Sequence, residues 1–200
     1  MDKALSIALL WALAINLHAQ RILAPIFQSA PSAVTLYYGL GCNGTSTNTC
    51  YAGTSGQTQS SLSGYSVGYT ITTGSNSAGY SVKAVGAYFY TAAGNIHAAI
   101  YSGPAGSATR LCQDSAQVAE GSSQTWTENT NFSGCTLAAG TTYYALVQQS
   151  SNTSAITFNG SGVLTGGVFV TSTYGTFPAS GVNLDTNSNN YSVYVRVITN

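Results

Sequence analysis

The sequence predicts an all-β protein: an antiparallel jelly-roll-type β-sandwich of about eight or nine strands, preceded by an apolar N-terminal helix and an extended arm. Three observations carry this expectation. From Tyr65 onward, runs rich in Val, Ile, Tyr and Thr alternate with Gly/Ser/Asn clusters, as short strands joined by tight turns do. Within those runs apolar residues recur at every second position, and no segment after residue 30 carries a useful helical period. The four cysteines are even in number, in a chain whose start has the anatomy of an export signal.

The elements follow in order. Met1–Lys3 is a short polar start, and Ala4–Leu17 is an almost unbroken apolar run. Leu17-His18-Ala19 offers small-residue cleavage after Ala19, so residues 1–19 read as a signal peptide, too short to span a bilayer comfortably. The competing reading is a retained helix to Ala24, stopped by Pro25; only then is a membrane contact expected. Residues 20–64 read as an arm and a linker. The arm contains Pro25 and Pro31, and its apolar residues Ile22, Leu23, Ile26, Phe27, Val34 and Leu36 suit an extra strand laid on a neighbouring copy's sheet edge. Residues 41–64 are Gly/Ser/Thr-rich and low in complexity.

Residues 65–200 carry the sandwich. Strands are predicted at Tyr65–Thr73, Tyr80–Thr91, Asn95–Ser102, Thr109–Gln113, Gln124–Thr127, Thr141–Gln149, Ala155–Phe158, Val163–Ser172 and Tyr191–Ile198. Period two places Val85, Ala87 and Phe89 on one face. Ile96, Ala98 and Ile100 oppose His97, Ala99 and Tyr101, and Tyr143, Ala145 and Val147 oppose Tyr144 and Leu146. Tyr191, Val193, Val195 and Val197 share a face. The Gly166-Gly167 pair predicts a bulge. Three pairings of Cys42, Cys50, Cys112 and Cys135 are open; the favoured one is Cys42–Cys50, closing a small loop, with Cys112–Cys135 tying two strands.

Charged residues make up 5% of the chain, against roughly 25% in an average soluble protein. Five Lys and Arg cannot form a basic stripe, so nucleic acid is excluded as a partner. Low charge leaves nothing to repel a second copy. After residue 19 the groups able to do acid–base or nucleophilic chemistry are His97, Asp114, Asp185, Glu120 and Glu128, with no G-x-S-x-G motif. His97 lies mid-strand, and no spacing pairs two carboxylates, so no catalytic residue is assigned and the expectation is a non-enzyme. The absence of a C-x-x-C spacing and of an Asp-rich loop gives no metal site and no cofactor, with Asp114, Glu120 and Glu128 read as loop acids.

The aromatic residues are the remaining resource. Fourteen Tyr, two Trp and six Phe supply rings that stack on sugar faces as readily as they fill cores. Tyr37, Tyr38, Tyr51, Tyr101, Trp126, Tyr174 and Tyr194 are the candidates for an exposed platform, with Tyr101, Trp126, Tyr174 and Tyr194 as the ligand-stacking set. Asn43, Asn131, Asn152, Asn159 and Asn190 head N-x-Ser/Thr sequons, candidate glycan acceptors in an exported chain.

Val85–Phe89 (VGAYF), Gly94–Gly103 (GNIHAAIYSG), Leu137–Leu146 (LAAGTTYYAL), Tyr174–Pro178 (YGTFP) and Asn190–Val195 (NYSVYV) together resemble a bacterial jelly-roll family. Its members are secreted, cell-surface and phage-associated domains related in architecture to carbohydrate-binding modules. Tyr144 stands where that family commonly has Trp. The resemblance implies a sandwich over residues 65–200 and assigns no activity. Two functions are therefore expected: a structural subunit of an extracellular filament, pilus-like appendage or matrix, built of copies of itself through the arm, or a secreted adhesion module that binds glycans through exposed tyrosines.

Overall fold

Alternation at period two decides which side chains meet between the sheets. The computed structural model describes residues 32–42, 44, 50–52, 64–151, 153–159, 166–187 and 189–200. The predicted N-terminal helix and signal segment, and the arm residues Ile22, Leu23, Ile26 and Phe27, lie outside the described residues. Residues 33–200 form a compact unit. Its described residues are all-β, with a 3-10 turn at Ala105–Ser107.

The strands are β1 (Thr35–Gly39), β2 (Tyr65–Thr72), β3 (Tyr80–Thr91), β4 (Asn95–Ser102), β5 (Thr109–Gln113), β6 (Val118–Ala119), β7 (Thr125–Asn129), β8 (Thr136–Leu137), β9 (Thr142–Gln149), β10 (Ala155–Ile156), β11 (Phe158–Asn159), β12 (Gly167–Thr171), β13 (Asp185–Asn187), β14 (Asn190–Tyr191) and β15 (Val193–Thr199). Every pairing among them is antiparallel. The first sheet runs β1-β15-β3-β10, with β7 and β8 also pairing β3. The second runs β13-β12-β2-β9-β4-β5, with β6 alongside β4. β11 and β14 form a separate two-stranded ribbon.

The main core lies between the two sheets. Val82, Val85, Ala87 and Phe89 of β3 and Val193, Val195 and Val197 of β15 meet Val67 and Ile71 of β2, Ile96, Ala98 and Ile100 of β4, and Tyr143, Ala145 and Val147 of β9. The faces read from alternation are the faces observed. No register shift occurs within β12, so the bulge expected of the glycine pair is not found among its paired residues.

A second apolar cluster covers the outside of the second sheet. Ala99, Tyr101, Tyr144, Leu146 and Val168 are buried there against Phe177, Val182 and Leu184, from the long connection between β12 and β13. Gln148, 1% exposed, anchors that connection: its amide nitrogen donates to Ser66 Oγ, Ser172 Oγ and Thr176 O, and its oxygen accepts from Gly175 N at 2.9 Å.

The boundary expected at residue 64 does not hold. Thr35–Gly39 is a strand of the first sheet, paired with Tyr194–Ile198. Leu36 packs on the main core, and Val34 is tied at both backbone groups to Thr199. These two residues, expected on a donor arm, belong to the sandwich's own edge, because β1 satisfies the otherwise open ladder of β15. Both disulfides are present, Cys42–Cys50 and Cys112–Cys135. The second links β5 of the second sheet to the residue before β8 of the first.

Candidate functional site

The outer face of the first sheet carries a row of aromatic rings. Alternation turns Tyr37 of β1, Tyr194 and Arg196 of β15, Tyr88 of β3, and Trp126 and Glu128 of β7 away from the core. The Tyr37 and Tyr194 rings meet edge to face at 5.5 Å, Tyr194 and Trp126 are 4.7 Å apart, and Trp126 and Tyr88 meet at 5.4 Å. The row crosses four neighbouring strands because Gly86 of β3 lies beneath the Tyr194 ring. A Cβ at Gly86 would fall inside the ring's van der Waals envelope. A glycine is required there by close approach rather than by backbone conformation.

The polar ends of the row are joined. The Tyr194 hydroxyl donates to Glu128 Oε1 at 2.8 Å. Arg196 grips the same carboxylate with two parallel bonds of 2.9 Å, Nε to Oε1 and Nη2 to Oε2. Both charged side chains stay about one-quarter exposed. The hydrogen bond to Glu128 raises the Arg196 pKa. Burial, then the Glu128 carboxylate, pushes the Tyr194 hydroxyl well above the ordinary tyrosine range. The turn before β7 adds a further constraint: Gln124 takes a positive φ of 59°, and its carbonyl accepts from the Tyr88 hydroxyl at 2.7 Å. Trp126, Tyr88 and Tyr37 are half-buried on this face, with the ion pair beside them.

Of the four residues expected to stack on ligand, the structure places two inside the protein. Tyr101 is 0% exposed, with its hydroxyl donating to Pro178 O at 2.8 Å and its pKa pushed by burial to about 12. Tyr194 is 1% exposed. It is the floor of the aromatic row and offers no free face. Trp126 is half-buried within the row. Tyr174 is half-buried in the connection after β12, its ring 5.2 Å from His97 of the second sheet and its hydroxyl donating to Gln117 Oε1 at 2.8 Å. Sequence alternation placed Tyr101 off the core face correctly. It carries no signal that a distant segment covers that face. Tyr37 and Tyr88 complete the row, yet Tyr88 was not singled out, because nothing local marks the neighbours it meets across β7.

The acids are held singly. Asp114 is buried and accepts from His97 Nδ1 at 3.0 Å, from Ala98 N at 3.1 Å and from Asn129 Nδ2. Burial raises its pKa, and the hydrogen bond from His97 partly offsets this. Glu128 is engaged by Arg196, and Glu120 by the backbone N–H of Ala93. Among the described residues no group of three His, Cys, Asp or Glu is placed to hold a metal ion. Among the sequons, Asn190 is 0% exposed and so cannot carry a glycan in the folded protein, which corrects that expectation. Asn131 is half-buried and donates to Ala116 O at 3.1 Å. The side chains of Asn43, Asn152 and Asn159 lie outside the described residues.

No family model, curated protein or solved structure matches the chain.

Proposed function

We propose that the chain is a non-catalytic extracellular module that binds glycans on the outer face of its first sheet. The observation that carries this reading is the aromatic row with the Arg196–Glu128 pair set beside it. Half-buried rings on the solvent side of a sheet offer apolar faces to the C–H faces of sugars. A bidentate guanidinium–carboxylate pair offers donors and acceptors to hydroxyl groups, and a neighbouring charge strengthens each such bond. This face also concentrates charge in a chain that has very little.

The architecture supports the same reading. The strand orders β1-β15-β3-β7 and β2-β9-β4-β5 support reading the sandwich as a jelly roll, a fold that hosts lectin domains among many others. The two disulfides are compatible with an extracellular location. The jelly-roll assignment, the location and the absence of catalysis are parts of the proposal. Its test is binding on a broad panel of soluble and insoluble polysaccharides. Ring stacking is worth about 1–3 kcal/mol by analogy with nucleobases, so Trp126→Ala should weaken binding roughly 5- to 150-fold. No binding to any glycan by a folded chain overturns the proposal.

A structural subunit that assembles from copies of itself is the second reading. It is favoured by the low charge and by the position of the arm, which leads directly into the edge strand β1. The described edges argue for a restricted route, because the chain covers two of them itself: Gly44 O accepts from Tyr37 N beside β1, and Ala179 O accepts from Arg110 N beside β5. Deletion of residues 20–31 tests this reading; deletion through residue 36 would also remove Leu36 from the core. Filaments of the exported protein that vanish on this deletion support it. Dispersed particles from the full chain contradict it.

A further inference from the structure

Three side chains form a buried chain of contacts where the two sheets come together beyond β9. Gln149 ends β9 in the second sheet, and Ser154 precedes β10 in the first. Glu120 follows β6. Gln149 is 1% exposed and Ser154 0%. The Gln149 amide nitrogen lies 2.6 Å from Ser154 Oγ, and that hydroxyl donates to Glu120 Oε2. Glu120 Oε2 also accepts from Ala93 N at 2.8 Å. At the two ends of this chain, Glu120 Oε1 and Gln149 Oε1 are both buried and have no hydrogen-bond partner. A buried acceptor without a donor is costly, and here two stand in one small group.

The arrangement sets a nucleophile against a carboxamide, with a carboxyl group on the hydroxyl. We propose that Ser154 and Gln149 form an intramolecular ester, with Glu120 as the proton carrier. Ser154 Oγ attacks Gln149 Cδ; the Oγ–Cδ bond forms and the Cδ–Nε2 bond breaks. The hydroxyl proton passes through the Glu120 carboxyl to the departing nitrogen, which leaves as ammonia. No oxidant or other co-reactant is needed, and Glu120 ends in the protonation state in which it began. Burial excludes the water that would hydrolyse the ester. Burial also raises the Glu120 pKa. The product is a covalent tie between the end of β9 in the second sheet and the residue before β10 in the first. It is independent of glycan binding.

The experiment is peptide mass spectrometry on the full chain, folded and aged, then denatured, reduced and cleaved with pepsin or chymotrypsin. The expected result is a peptide spanning Gln149 and Ser154 that is lighter by one ammonia, with fragment ions placing the link between those two residues. Asn-Gly pairs such as Asn43-Gly44 also lose ammonia, so the location decides. Ser154→Ala and Glu120→Gln should each restore the full mass of this peptide. A wild-type peptide at full mass overturns the proposal without recourse to any variant. So does an ammonia loss in this peptide that persists in Ser154→Ala.

Discussion

Gly86 is the residue on which the aromatic row most depends. Its missing side chain lets Tyr194 lie across β3 and reach Glu128 and Trp126. Gly86→Ala should displace the Tyr194 ring and cost about 1–3 kcal/mol, the usual range for overpacking. A denaturant titration reads the loss, and an unchanged midpoint would contradict the packing described. Asp114 is the second residue-scale test. It satisfies a histidine, a backbone N–H and Asn129 at once, so Asp114→Ala should cost at least about 3 kcal/mol by leaving buried donors unpaired.

The buried acids also set a pH response. Burial raises the pKa of both Asp114 and Glu120 above the ordinary carboxylate range. An acid whose folded pKa lies above its unfolded value binds its proton more tightly in the fold. Its contribution to stability is therefore greatest below the unfolded pKa, and falls as pH rises toward the folded one. Thermal midpoints at about pH 5 should equal or exceed those at about pH 7, because the ordinary carboxylate range lies near pH 4. A midpoint higher at about pH 7 than at about pH 5 would contradict the direction given for these groups.

At the scale of elements, the long strands were legible in the sequence and the short ones were not. β3 and β4 fall on their expected residues, because each combines β-branched or aromatic residues with alternation over a buried face; β5 falls on its expected residues without a buried face. β1 was missed. Its TLYYG segment is short, lies beside a Gly/Ser/Thr-rich stretch, and owes its strand state to the open ladder of β15, which is far away in sequence. β6, β8 and β13 have two or three residues each and no period to detect. The connection after β12 shows the same limit. Its packing on Tyr101, Tyr144 and Leu146 is anchored by Gln148, a buried polar residue near the end of β9. Gln148→Leu should free this connection, exposing the outer face of the second sheet. Amide exchange at Gly175 N and Ala108 N should then rise markedly, and unchanged protection there would mean that Gln148 does not anchor the segment.

At the scale of the whole molecule, the dominant fact is scarcity of charge. With 5% charged residues, specificity has to be built from aromatic faces and neutral hydrogen-bonding groups, and the few ions are informative by position. Three of the acids face inward or into a partner. The half-buried pair, Arg196 and Glu128, stands beside the aromatic row. That coincidence could not be read from sequence, since Trp126, Glu128, Tyr194 and Arg196 are brought together by two strand pairings through β3. The disulfides act at this scale as well. Cys112–Cys135 joins the two sheets, and its removal should cost about 2–4 kcal/mol, measured as a shift in the unfolding midpoint of Cys112→Ser/Cys135→Ser.

The most direct test of the account is affinity electrophoresis of the folded chain through a panel of polysaccharides, with Trp126→Ala and Tyr65→Ala run beside it. Tyr65 is exposed and lies on the other sheet, away from the proposed face. The account predicts retardation of the wild type by at least one polysaccharide, retained in Tyr65→Ala and lost or sharply reduced in Trp126→Ala. Equal retardation of all three proteins, or none of the wild type by any polysaccharide, would contradict it.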